Sequence, residues 1–197
     1  IEWNEDNFKI FMNPYTKKCY DDKKFAFLSD YVRLVVIEAN GGIYFDTDVE
    51  VVKSFDDLLD CKAFFGFETN EYVNTGVGFG AEAHNPAIIQ MLKEYEPLLD
   101  GRQGIIGCPH LNTKALIKCG LKKNGQKQDL KDASVFPAEY FNPYDAPTGK
   151  LNKSELTYSI HWYAASWMDK KQRLRSKISK PIHRLLGKDF FRKKQKN

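Results

Sequence analysis

The stretch "FAFLSDYVRLVVIEANGGIYFDTDVEV", residues 25–51, decides how this chain is read. Phe25, Phe27, Leu28, Val32, Leu34, Val35, Val36 and Ile37 cover most faces of a helix, which predicts a largely buried one. Asp21 or Asp22 is its expected N-cap, and Asn40-Gly41-Gly42 supplies the left-handed stop. Only Asp30 and Arg33 interrupt the apolar run, and their i, i+3 spacing places them one turn apart on one face. "GIYF" then reads as a strand, followed by Asp46 and Asp48 and a second strand, "VEVVK". In an extended segment residues i and i+2 point the same way, so the two carboxylates stand side by side. They repel unless a cation sits near them. Hard oxygen ligands at a strand end suit Mg²⁺ or Mn²⁺, which take one or two carboxylates plus phosphate oxygens and water. Such a metal acts as a Lewis acid toward a leaving group. Asp-x-Asp also fits a turn whose aspartates cap backbone N–H groups, and Asp30/Arg33 also fits an architectural ion pair.

Outward from this stretch, helices alternate with short strands. "AFFGFET" and the Gly-rich "NTGVGFGAEA" read as strands. "NPAIIQMLKEYEPLL" is a helix with Asn85 as N-cap and Pro86 in its first turn, and "GCPHLNTKALIKCGLKK" is another. "ASVFPAEYFNPYDAPTG" is a strand leading into a Pro-rich loop, and "TYSIHWYAASW" is a late aromatic strand or loop. This alternation predicts an α/β fold with a mostly parallel sheet. With 197 residues, 42% of them hydrophobic, the chain suffices for one domain with a sizeable core. No run of about 18 apolar residues indicates a membrane span. The four cysteines form no C-x-x-C pair and fit no zinc ribbon, so free thiols in a reducing compartment are expected, with a secreted disulfide as the alternative. Charge is unevenly placed. Residues 169–197 hold 12 Lys/Arg against 2 Asp, while the chain as a whole is only +4, so residues 1–168 are acidic. That divides the chain into a body, 1–168, and a basic tail, 169–197.

"FAFLSDYVRLVVIEANGGIYFDTDVEVVKSFDDLL" resembles the DXD-containing sugar-transferase family. That family includes yeast initiating mannosyltransferases, bacterial capsule and lipopolysaccharide glycosyltransferases and, more distantly, the glucosylating clostridial toxins. "VNTGVGFGAEAHNP", "GCPHLNTKAL", "VFPAEYFNPYD", "APTGK" and "YSIHWYAASW" continue the resemblance in order over 1–168. It implies a GT-A fold with a mixed, mostly parallel sheet flanked by helices, a nucleotide-sugar donor with Mn²⁺ or Mg²⁺, and transfer with retention. It further implies that Asp48 is the main metal ligand and that Asp46 contacts ribose or sugar and reaches the metal. Asp30 and Arg33 hold the donor, as a guanidinium forks well onto hydroxyl or phosphate oxygens. Asn74, Thr75 and Gly76 face the transferred sugar. His161 resembles a further metal ligand, although a lone His in an aromatic strand is also at home in a core. Ser166 and Trp167 resemble the family's end motif that closes over the donor. In two places the sequence departs from the pattern. Trp162 replaces the second histidine of the usual pair, and the family's opening strand, which helps bind the base, has no counterpart, so an incomplete nucleotide half is expected.

On this reading the chain is a hexosyltransferase using a UDP- or GDP-sugar and a glycan or lipid-linked glycan acceptor. Two rivals come from other classes. "IYFDTDV" fits the opening motif of a haloacid-dehalogenase-type phosphatase with Asp46 as nucleophile, but a long buried helix precedes it, and Asp56-Asp57 come too soon for the second acidic pair. A non-enzymatic membrane-surface module is the other. The tail mixes cations with Ile178, Ile182, Leu185, Leu186, Phe190 and Phe191, which suits an anionic lipid surface or a solvated tail. The acidic body argues against nucleic acid. A cytoplasmic location, peripheral at the inner face of the cell membrane, is expected.

Overall fold

The computed structural model describes Lys9, residues 11–164, 179–181, 183–185 and Gly187. In chain order the main elements are α1 (Pro14–Asp21), α2 (Phe25–Asn40), β1 (Gly42–Tyr44), β2 (Val49–Val51), β3 (Ala63–Gly66), β4 (Phe79–Ala81), α3 (Pro86–Tyr95), α4 (Cys108–Lys118), β5 (Gln128–Asp129), β6 (Ser134–Phe136), α5 (Ala138–Phe141), β7 (Tyr144–Asp145), β8 (Lys150–Leu151) and β9 (Ser159–His161). Short 3₁₀ turns sit between several of them.

The decisive helix forms as its apolar content requires, but it starts later than expected. Asp21 ends α1 and Asp22 caps that helix's C-terminus, while α2 begins after Lys24 with no side-chain cap. The missed helix, α1, carries its own start signal, Asn13 accepting from the Thr16 N–H at 2.9 Å with Pro14 behind it. Leu28, Tyr31, Arg33, Leu34 and Ile37 are the buried stripe of α2, and Phe25 stays exposed. At the other end Gly41 turns the chain at φ +67, where an added Cβ would lie 2.8 Å from the Ala83 backbone nitrogen. The helix signals read for α3 hold, since Asn85 accepts from the Ala87 N–H at 2.9 Å and Pro86 opens the first turn.

Five strands form one mixed sheet in the order β1-β4-β3-β6-β5. Mostly parallel pairing was the expectation, and here the structure corrects it. Among the described residues only β3 and β6 pair in parallel, and the other three ladders of this sheet are antiparallel. The reason lies in the connections. A parallel neighbour needs a long crossover. Both α3 and α4 fall in the single passage from β4 toward β5 and β6, leaving β3 and β4 to pair back on themselves. Strand alternation then divides the interior into two layers. Ala63, Phe65, Phe79 and Val135 face α2, α3 and α4, where Leu34, Ile88, Met91 and Leu116 are fully buried. Phe64, Phe136 and Phe141 face the opposite side with Phe55 and Tyr158. Burying a phenylalanine such as Phe65 contributes about 2–3 kcal/mol, so the two layers fix the sheet between them. A separate antiparallel ladder, β2 with β9, covers the aromatic layer and pairs Val49 with His161. From the tail, Lys180 Nζ donates to the Tyr144 hydroxyl at 3.0 Å and Arg184 to the Gly149 carbonyl at 3.1 Å. The four cysteines are free thiols, and no helix among the described residues is long and apolar enough to cross a membrane.

Candidate functional site

Asp46 and Asp48 do come together, but not by the extended geometry expected of them. β1 ends at Tyr44, and the Val49 N–H bonds back to the Asp46 carbonyl at 3.1 Å, closing a turn over the acidic pair. That turn is also where the chain leaves the five-stranded sheet for the β2–β9 ladder. Asp46 therefore answers to the core of the protein, and Asp48 to the late aromatic strand.

On the core side, Arg33 organises the site. Its side chain is 2% exposed, and Nη2 lies 2.8 Å from Asp30 and 3.2 Å from Asp46. Its Nε donates to the Ser29 carbonyl at 3.1 Å, and the guanidinium lies 4.8 Å from the centre of the Tyr44 ring. The Tyr44 hydroxyl donates to Asp46 Oδ1 at 3.0 Å. Burial pulls the guanidinium's pKa down, but Asp30, Tyr44 and Asp46 more than reverse this, so it stays charged. Burial pushes the Asp30 carboxyl up, and Arg33 together with a Cys108 hydrogen bond only partly offsets the rise. Arg33 Nη1 is buried without a hydrogen-bond partner among the described residues. It borders Gly76, where an added Cβ would lie 3.1 Å from Nη1 and 2.6 Å from Asp46 Oδ2. A glycine is required there because any side chain would fill the space that the guanidinium and carboxylate share.

On the strand side, Asp48 is held at both oxygens. Oδ1 lies 3.1 Å from His161 Nε2, and Oδ2 accepts from the Ala164 N–H at 2.7 Å. The Asp48 carbonyl accepts from the Trp162 N–H at 3.0 Å, extending the β2–β9 ladder by a residue. Asp46, Asp48 and His161 each offer one ligand atom, all within 4.8 Å of one another. Two carboxylate oxygens and an imidazole nitrogen are a donor set that fits a divalent cation. His161 Nδ1 is buried without a hydrogen-bond partner among the described residues, so the ring is tied only through Nε2, toward Asp48.

The 3₁₀ turn Thr75–Val77 closes the site from a third side, and Asn74 starts it by accepting from the Gly76 N–H at 2.7 Å. Thr75 is fully buried, and its hydroxyl is held by Asn112 of α4 at 3.0 Å, so its side chain is turned to the helix layer. Ser166 and Trp167 lie outside the described residues. Sequence reasoning passed over Tyr44, which ties Arg33 to Asp46, and Cys108, whose thiol donates to Asn74 Oδ1 at 3.2 Å. It also passed over Glu68, whose carboxylate accepts from the Tyr163 hydroxyl at 2.8 Å. Tyr44 was detectable, as it stands two residues before Asp46 on the same side of the chain. Cys108 and Glu68 are brought in by tertiary folding alone.

Residues 2–65 match the family model described as a glycosyltransferase sugar-binding region containing a DXD motif. The chain is also 44% identical over 48 residues to glucan organizing enzyme 1 of Cryptococcus neoformans var. grubii serotype A. That alignment covers 24% of this chain and 13% of the relative. The family model spans α2, Asp30, Arg33, Asp46 and Asp48, the residues around which the site is built. These matches support a glycosyl transferase and do not favour the phosphatase alternative. The resemblance of this chain to the DXD-containing glycosyltransferases, read first from its sequence, is thereby shown.

Proposed function

We propose that this chain is the donor-binding part of a retaining hexosyltransferase that uses a UDP- or GDP-sugar, with Mn²⁺ or Mg²⁺ held by Asp46, Asp48 and His161. The observation that carries the reading is the junction at the Asp46–Asp48 turn. There a buried, charged guanidinium with a spare N–H meets a donor set for a divalent cation. When bound, the cation would supply positive charge against the leaving diphosphate. Arg33 serves the donor side by fixing Asp46, and Asp30 holds the guanidinium in place for it. Asp46, kept in orientation by Tyr44 and Arg33, accepts from a donor hydroxyl. An acceptor hydroxyl attacks the anomeric carbon on the face that the diphosphate leaves. The new C–O bond forms as the bond to the phosphate oxygen breaks, and the hydroxyl proton departs with the diphosphate. The GT-A assignment belongs to the same reading, as does a glycan or lipid-linked glycan acceptor. The net charge of the tail supports a peripheral position on an anionic membrane surface, at the cytoplasmic face of the cell membrane.

The test is a thermal-shift panel of nucleotide-sugars with and without Mn²⁺, run on the wild type and on Asp48→Asn. A ligand at about a hundred times its Kd stabilises by about 2.7 kcal/mol. The expected outcome is stabilisation that needs both a nucleoside diphosphate and the metal and is lost in Asp48→Asn. Wild-type sugar transfer by Asp48→Asn with metal present would overturn the metal role.

A further inference from the structure

A second polar group stands against the first across the His161 ring. Beyond the end of β3, Glu68 projects its carboxylate to the Tyr163 hydroxyl at 2.8 Å. Tyr163 packs its ring 4.1 Å from that of His161, centre to centre, so Glu68 and the metal-ligand trio share one wall. Asn142, 9% exposed, donates from Nδ2 to the Glu68 carbonyl at 3.1 Å. Its Oδ1 is buried with no hydrogen-bond partner among the described residues. Tyr163 itself sits at φ +50, a left-handed conformation that a non-glycine residue adopts only where its surroundings impose it, and such positions cluster at ligand sites. Phe67 and Val73 already close the loop that carries Glu68, and Tyr158 and Phe141 already pack the layer beneath.

A carboxylate whose first oxygen is fixed by a phenol keeps further lone pairs for incoming donors. Hydroxyl groups are donors of this kind, and a sugar ring presents several at fixed spacing. We propose that Glu68, Tyr163 and Asn142 form a hydroxyl-binding subsite for the acceptor sugar, beside the Asp46–Asp48–His161 group. The inference rests on the glycosyltransferase reading of that group. Glu68 accepts from an acceptor hydroxyl, Tyr163 orients the Glu68 carboxylate, and Asn142 holds the Glu68 backbone from the buried side. These three thus select and position the acceptor, while Arg33 and Asp46 serve the donor.

The test uses a panel of p-nitrophenyl α- and β-hexosides and compares the wild type with Glu68→Gln and Tyr163→Phe. Two affinities are read: hexoside binding by saturation-transfer NMR, and Mn²⁺-dependent UDP or GDP binding by calorimetry. The expected result is that Glu68→Gln weakens hexoside binding about tenfold relative to its nucleotide binding, with a smaller selective loss for Tyr163→Phe. An unchanged hexoside affinity in Glu68→Gln overturns the subsite, and so does a parallel fall of both affinities, which a purely structural role would give. Failure of the glycosyltransferase reading looks different, because the wild type then binds no nucleotide with Mn²⁺. In that case a selective hexoside loss in Glu68→Gln still stands for a sugar site, and its absence removes both.

Discussion

Among the described residues, the Glu94 and Arg33 charge centres are buried on opposite plans. Glu94, with its side chain 3% exposed, lies between α3 and α4. Lys114 Nζ stands 2.9 Å from it, Lys118 pairs with its other oxygen, and Gln90 donates at 3.0 Å. Both lysines are more than half exposed, so their own charges stay solvated. Arg33 is as deeply buried, yet its acidic partners Asp30 and Asp46 are themselves partly desolvated, and Nη1 is left over beside Gly76. The Glu94 centre is closed, since every lone pair it needs is supplied from its own two helices. The Arg33 centre is not completed in this way, since Nη1 keeps an N–H without a partner among the described residues beside Gly76. A buried charge with a donor to spare is what the proposed donor site asks of Arg33.

Substitution breaks the two plans differently. Arg33→Met leaves Asp30 buried without its counter-ion. It is expected to cost about 3–5 kcal/mol in urea denaturation, the largest effect of any change discussed here. A loss under about 1 kcal/mol would put Arg33 on the same footing as a surface pair and dissolve the contrast. Gly76→Ala probes the Arg33 centre without removing a charge. Its Cβ would press on Asp46 Oδ2 at 2.6 Å and on Arg33 Nη1 at 3.1 Å. Overpacking of this kind costs about 1–3 kcal/mol. Mn²⁺-dependent nucleotide binding is expected to fall more than tenfold in calorimetry, beyond what the change in stability explains. Retention of wild-type affinity would mean that no ligand occupies the space over Gly76.

How legible these centres were in the sequence depended on how local they are. Asp30 and Arg33 were readable because their spacing is a helical one and their neighbours are apolar. The proximity of Asp46 and Asp48 was readable as well, but for the wrong reason, because a turn and not an extended strand brings them together. Asn85 and Pro86 fixed the start of α3 through rules that act within three residues. The antiparallel majority of the mixed sheet was not legible. Helix–strand alternation is the same whether β3 pairs with β4 or only with β6, and the choice is made by long-range packing of the Phe64 and Phe65 faces. For the same reason Glu68 was invisible, since its partners Tyr163 and Asn142 lie 95 and 74 residues away.

The closed centre yields the smallest effect and the sharpest sign. Burial opposes the charge on Glu94, but hydrogen bonds and attraction from Lys118 and Lys114 outweigh it and hold the carboxyl below its ordinary value of 4.5. A carboxyl lowered on folding binds fewer protons in the folded state than in the unfolded one. Its stabilising contribution is therefore complete above about pH 4.5 and is lost as pH falls through the folded value. Glu94→Gln keeps the shape and removes the charge, and the exposed lysines return to water without penalty. It is expected to cost about 1 kcal/mol at pH 7, read from urea midpoints. The deficit should shrink toward zero as the pH is lowered below 4.5, where the wild-type carboxyl is itself becoming neutral. A deficit that grew on acidification would mean that Glu94 binds its proton more tightly when folded. The centre would then be strained rather than closed, and its likeness to an ordinary structural ion pair would fail.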